Sequence, residues 1–185
     1  MIKERFVSYV EESIKKNWDI EALSNYREKG FTYREIATMM VRQHIAFREY
    51  GISEGDTVAL LGRNSASWCA MYLAVVTYGA VVVPILPDFK PDDLHNIINH
   101  SDAKILFADD KLWEILEPEK IQGIQCVKSL DTFEILMSRS EKITEIYKNL
   151  DGKFAQAYPS FGPADIKFSD IDNEKLAVLS YTSGT

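Results

Sequence analysis

The sequence predicts an α/β domain: an open, mostly parallel β-sheet with helices on both faces. Three observations point there. Strand-like and helix-like segments alternate from Phe31 to Ser129, which favours crossover connections between parallel strands. The run AVVVPIL, Ala80 to Leu86, is apolar at every position, as a strand covered on both faces has to be. A length of 185 residues suffices for one domain with a real core and is short for two ordinary ones.

Each element has its own signal. Ile2, Phe6, Tyr9, Val10 and Ile14 share one face of an amphipathic helix. The stretch DIEALSNYREKGFTY fits no period, but Lys29-Gly30 reads as a turn between two short extended pieces. Thr32 followed by Glu35 forms a capping box, and Gly51 closes the helix it opens. Within that helix Ile36, Ala37, Met40, Val41, His44 and Ile45 make one stripe. TVALLG (Thr57 to Gly62) reads as a strand, and Ser65 to Gly79 as a mostly buried helix between a serine start and a glycine stop. Pro84 removes one ladder donor from the following strand, so broken pairing is expected there.

Pro91, Asp92 and Asp93 open another helix, where a missing N–H costs little and acids suit the positive end; Leu94, Ile97 and Ile98 are its core face. AKILFA (Ala103 to Ala108) is a strand, Leu112 to Leu116 a short helix, and Ile124 to Ser129 another strand. Asp131 and Glu134 repeat the capping-box pattern, predicting a helical region that runs with a break to Leu150. Residues 151–169 hold two prolines and two glycines without a period and read as an internal loop or linker. Leu176 to Tyr181 is the last expected strand.

The composition is that of a soluble globular protein, 46% apolar and 26% charged. A net charge of −7 gives no general attraction to nucleic acid or anionic lipid. Cys69 and Cys126 fit no C-x-x-C or zinc spacing and read as buried thiols in a reducing compartment. The N-terminus carries charges throughout and lacks the apolar core of a signal peptide. No stretch approaches the ~20 apolar residues of a membrane span. A cytoplasmic protein without nucleic-acid partners is expected, with peripheral membrane contact left open.

The chain ends on LAVLSYTSGT, Leu176 to Thr185. Loops after strands are where open α/β sheets bind ligands. Clustered hydroxyls, and backbone N–H groups freed by glycine, suit an anion with several acceptor oxygens, such as a nucleotide phosphate. From residue type alone an ordinary turn competes with that reading. Neither G-x-x-x-x-G-K-[ST] nor G-x-G-x-x-G occurs, so a P-loop NTPase or a dinucleotide oxidoreductase has no support.

LAVLSYTSGT resembles the start of the Ser/Thr/Gly-rich phosphate loop of the adenylate-forming, AMP-binding enzymes. FTYREI (Phe31 to Ile36), Gly51 to Phe89 with its Gly-Ala-Val-x-x-Pro strand, and INHSDAKILFADD (Ile98 to Asp110) are similar to family elements in the same order. The branch most resembled is the long-chain fatty acid–CoA ligases. The resemblance implies the N-terminal subdomain of the acyl-CoA synthetase-like fold, with residues 1–185 a partial domain ending inside the phosphate loop. It implies ATP, Mg2+ and coenzyme A as cofactors and small-molecule partners of the parent enzyme. By resemblance Thr182, Ser183, Gly184 and Thr185 bind the β- and γ-phosphates, with Thr182 a magnesium contact and Tyr181 a packing residue. A fragment of this kind is expected to be inactive alone and to self-associate weakly through uncovered apolar surface. An amino-acid or aryl-acid adenylation domain, or a non-catalytic α/β binding module, are the alternatives.

Other candidates are weaker. His95 and His100 are five apart, about 140° around a helix, and cannot share a face to chelate a metal. His44 reads as a satisfied core histidine; Asp170, Asp172 and Glu174 as a solvated turn; Trp68 and Tyr72 as core spacing rather than a base-stacking pair.

Overall fold

The computed structural model describes residues 5–182. Four parallel strands carry the fold: β3 (Thr57–Leu61), β4 (Val81–Ile85), β5 (Ile105–Ala108) and β6 (Cys126–Ser129). β7 (Ile135–Ser138) joins antiparallel to β6, giving the order β4-β3-β5-β6-β7. The expected two short extended pieces are β1 (Glu21–Leu23) and β2 (Phe31–Thr32), a separate antiparallel pair.

Alternation along the strands divides the core in two. Val58, Leu60, Val82, Ile105, Phe107 and Cys126 face one side, packed with helices α1 (Phe6–Lys16), α2 (Tyr33–Tyr50), α3 (Ala66–Tyr78), α6 (Glu141–Lys148) and α7 (Leu150–Ala157). Ala59, Leu61, Val83, Ile85, Leu106, Ala108 and Val127 face the other, under α4 (Pro91–His100) and the short α5 (Asp110–Trp113). The sheet is covered on both faces, as its unbroken apolar runs required.

The signals of α2, α3 and α4 hold. The Thr32 hydroxyl accepts from the Glu35 N–H while the Glu35 carboxylate accepts from the Thr32 N–H, and Gly51 ends α2 at φ +80. Such a cap contributes about 1 kcal/mol. Ser65 caps α3 through the Trp68 N–H, Gly79 closes it at φ +97, and Pro91 sits in the first turn of α4. α5 starts earlier than expected because Asp109 accepts from the Lys111 and Leu112 N–H groups.

Four expectations need correction. Pairing between β3 and β4 is unbroken through Leu60 and Pro84. In a parallel strand, successive residues aim their peptide groups at alternate neighbours. Val81 donates to Asp56 on the β3 side, whereas Val82 donates to Ala177 and accepts from Leu179 on the outer side. Pro84 shares Val82's parity, so its missing donor faces outward and costs β3 nothing.

The same geometry explains the second correction. Leu176 to Tyr181 forms no strand and keeps a single parallel bridge, Val82 to Val178. The next donor in that outer ladder would be the N–H that Pro84 lacks.

Third, Asp131 and Glu134 start no helix. The Ser129 hydroxyl accepts from the Asp131 and Thr132 N–H groups, Phe133 takes φ +60, and the Ser129 N–H closes the turn on Glu134. The chain returns as β7, and the cap of α6 is Ser140.

Fourth, residues 151–169 are not all loop, because α7 covers the first seven. Leu150, Phe154 and Tyr158 recur at helical spacing; Leu150 is buried and Phe154 packs against Tyr158 and Phe161 with ring centres 5.5 and 5.1 Å away. Gly152 sits in open space and does not oppose the helix.

Candidate functional site

The segment leading to the hydroxyl-rich stretch is docked against the outer edge of β4 by backbone and side chains together. Ser169 donates its hydroxyl to the Tyr78 carbonyl at 3.1 Å, and Ile171 lies against Gly79, the glycine that ends α3. Asp172 accepts from Glu174 at 3.0 Å and Lys175 pairs with Glu54 at 3.4 Å. The acid cluster of Asp170, Asp172 and Glu174 is thus an exposed turn, as read. Val82 donates to Ala177 and accepts from Leu179, both at 2.9 Å, so the chain there runs parallel to β4. Beneath it lies an apolar pocket of about 240 Å3 that includes Val7, Val76, Ala80 and Leu176.

Tyr181 is a packing residue, as expected. It lies against the core on the α4 face, and its hydroxyl is 2.8 Å from His100 Nδ1, with the rings edge to face at 5.7 Å. Burial, then the charge of Asp102, raises its phenol above the ordinary tyrosine value. Thr182 follows, exposed. Its hydroxyl is a hard oxygen of the kind that suits a magnesium ion or a phosphate. Ser183, Gly184 and Thr185, the other expected phosphate ligands, lie outside the described residues. The structure therefore places one of the four candidates, next to the packed Tyr181.

The histidines make structural contacts. His44 sits between α2 and α3, with Nε2 2.9 Å from the Ala74 carbonyl and 3.2 Å from the Thr77 hydroxyl, so Nε2 carries the hydrogen. Burial pushes it down to about 4, opposed by the Ala74 bond. It is the satisfied core histidine the apolar stripe implied. His95 accepts the Glu117 N–H on Nε2 at 2.9 Å, which leaves its buried Nδ1 without a partner. His95 and His100 serve different contacts, and among the described residues no group of three His, Cys, Asp or Glu is placed to hold a metal.

Cys69 and Cys126 are free, and burial raises both thiols, Cys126 to about 11. Trp68 and Tyr72 stack at 5.4 Å against the core. One group of chemical interest escaped the sequence: Lys128 is fully buried on β6. Its only signal was a lysine inside the expected strand IQCVKS, at the parity of Cys126.

Comparison with known proteins places this architecture. The model of the AMP-binding enzyme family matches residues 10–185. A naringenin synthase of Pestalotiopsis fici is 29% identical over 161 residues, covering 84% of this chain and 6% of that protein. A long-chain-fatty-acid–CoA ligase of Thermus thermophilus is 32% identical over 116 residues, covering 63% of this chain and 20% of that one. The solved long-chain-fatty-acid–CoA ligase of Archaeoglobus fulgidus superposes with a TM-score of 0.72 at 21% identity, over 100% of this chain and 35% of that one, a likeness of fold. The chain spans 6% to 35% of the length of these relatives. Their names differ in substrate, and the chain belongs to the AMP-binding enzyme family of adenylate-forming enzymes.

Proposed function

We propose that this chain is the N-terminal part of an ATP-dependent acyl-CoA synthetase. In this reading the enzyme activates a carboxylic acid as acyl-adenylate, releases pyrophosphate, and passes the acyl group to coenzyme A; a long-chain fatty acid is the favoured substrate. One observation carries the reading. A Thr-Ser-Gly-Thr stretch directly follows a segment docked parallel to the sheet edge, in a chain of the AMP-binding family. Support for the fatty acid comes from the long-chain ligases among its relatives.

Thr182, Ser183, Gly184 and Thr185 are the residues that hold the terminal phosphates. Their hydroxyls donate to phosphate oxygens, and glycine lets the backbone N–H groups approach. Magnesium, when bound, neutralises phosphate charge, and the Thr182 hydroxyl is its contact from this chain. Donors fixed before the reaction favour the transition state over the ground state. Free cysteines agree with work in the cytoplasm.

The experiment uses the longest natural protein that carries this chain. Thr182→Ala is expected to slow pyrophosphate release in stopped flow about 100-fold, in line with loss of one transition-state donor. Release at the wild-type rate removes Thr182 from the site. Palmitate, benzoate and an amino-acid mixture, compared in the same assay, test the substrate class; preference for benzoate or an amino acid overturns the fatty-acid reading.

A further inference from the structure

Lys128 is fully buried, yet no carboxylate pairs with it among the described residues. Its Nζ donates to the Gln43 side-chain oxygen at 2.9 Å and lies 5.6 Å from the centre of the Phe107 ring and 5.5 Å from that of Tyr147. A neutral amide and two ring faces compensate a buried ammonium only in part. Burial holds Lys128 down at about 8, and the nearby Arg42 charge adds to the effect.

In front of this lysine is a pocket of about 380 Å3 between α2 and the β6–β7 hairpin. Its polar end is Lys128, Gln43 and Arg42, and its apolar wall includes Met39, Phe133 and Leu150. The volume is within the range of small-molecule sites. The positive end is local, since the chain as a whole carries −7. Glu35, an acid on the lining, is held by Thr32 in the cap of α2. Arg42 is paired with Asp151, whose side chain is 78% exposed, and such surface pairs exchange at little cost. Lys128 and Arg42 thus line one pocket as cations of different geometry, and a carboxylate has two oxygens to offer them.

We propose that this pocket binds a small organic carboxylate. Its oxygens lie between Lys128 and Arg42, displacing the Gln43 amide, and its apolar body rests on Met39, Phe133 and Leu150. The site is distinct from the segment that carries Tyr181 and Thr182. Lys128 lies on the fourth strand of the sheet against Gln43 of α2, while Tyr181 packs on the α4 face beyond β4. The proposal does not rest on the adenylation reading.

Titration of the 185-residue chain with sodium benzoate, followed by amide NMR, tests it. Saturable shifts are expected at the Gln43 side-chain amide and at the Thr132 and Phe133 backbone amides. Benzamide, the neutral counterpart, is expected to bind at least about tenfold more weakly, and Lys128→Met to lose benzoate binding by a similar factor. Arg42→Gln, a change at a half-exposed side chain, is expected to weaken binding about threefold and serves if Lys128→Met fails to fold. Absence of saturable shifts, equal binding of benzoate and benzamide, or unchanged affinity in the folded variant overturns the proposal.

Discussion

Two segments of this chain are similarly apolar and meet different fates. Thr57 to Leu61 is a central strand, and Val58, Ala59, Leu60 and Leu61 are each 0% exposed, paired in register with β4 on one side and β5 on the other. Leu176 to Tyr181 lies beside β4 with a single bridge, and Leu176 is 63% exposed. Apolar character is common to both. Partners separate them: β3 has a donor and acceptor opposite it on both edges, while the outer edge of β4 offers Val82 and then a proline. A strand is a property of two chains side by side, and one run of residues holds only half of it.

The largest expected effect breaks that contrast at its strong end. Leu60→Ala removes a fully buried side chain from the core on the α2 and α3 face, and should cost about 2–5 kcal/mol. Leu179→Ala, in the edge segment and only partly buried, should cost about 1 kcal/mol. Chemical denaturation of both variants checks the ratio; equal losses would mean that the edge segment is held as firmly as β3.

A smaller effect sharpens the contrast within the sheet, because β6 carries a buried lysine where the buried residues of β3 are all apolar. The folded state holds Lys128 at about 8, below the ordinary lysine value of 10.5. The unfolded chain therefore binds more protons near pH 8 and above, and stability from this group rises with pH, starting as the pH approaches the folded value. Between pH 7 and 9 the gain should be about 1 kcal/mol. Cys126 and Tyr50 act oppositely but at higher pH, since burial raises both. Lys128→Met should flatten the pH 7–9 slope of the unfolding free energy and keep or raise stability. An unchanged slope would show that Lys128 is not the titrating group.

The smallest effect tests the reason for the contrast. Pro84→Ala restores an N–H on the outer side of β4, opposite the Leu179 carbonyl. The net stability change should be near zero, because the new bond offsets about 0.4–1 kcal/mol of lost chain restriction. Hydrogen exchange is the sensitive readout: the residue 84 amide should be protected, and protection of Tyr181 should rise. Free exchange at residue 84 would mean that the proline is not what ends the ladder.

What could be read from residues alone follows the range of the interactions involved. Capping by Thr32, Glu35 and Ser65, and stopping by Gly51 and Gly79, act within one helical turn and appear unchanged in the fold. The unbroken apolar runs Val58 to Leu61 and Val81 to Val83 specify strands covered on both faces, because burial on each side leaves no polar position. The order of family-like segments pointed to the AMP-binding enzymes, whose model matches residues 10–185. The hydroxyls of the Thr-Ser-Gly-Thr stretch are legible as a candidate phosphate contact, with Thr182 alone inside the described residues.

Tertiary structure decided the rest, wherever the sequence offered two outcomes of similar local energy. Asp131 to Glu134 carries a valid capping pattern, yet the Ser129 hydroxyl and the edge of β6 capture the chain and turn it into a hairpin. Gly152 argued for a loop, and the aromatic contacts of Phe154 with Tyr158 and Phe161 outweigh it. Pro84 had one missing donor whose cost depended on which neighbour it faced, and only the strand order supplies that neighbour. Lys128 became a buried charge through the approach of Gln43, Phe107 and Tyr147 from three other elements. Local hydrogen bonds and periodicity are written in consecutive residues, whereas the partner of an edge or of a buried charge comes from distant sequence and exists only once the chain has folded.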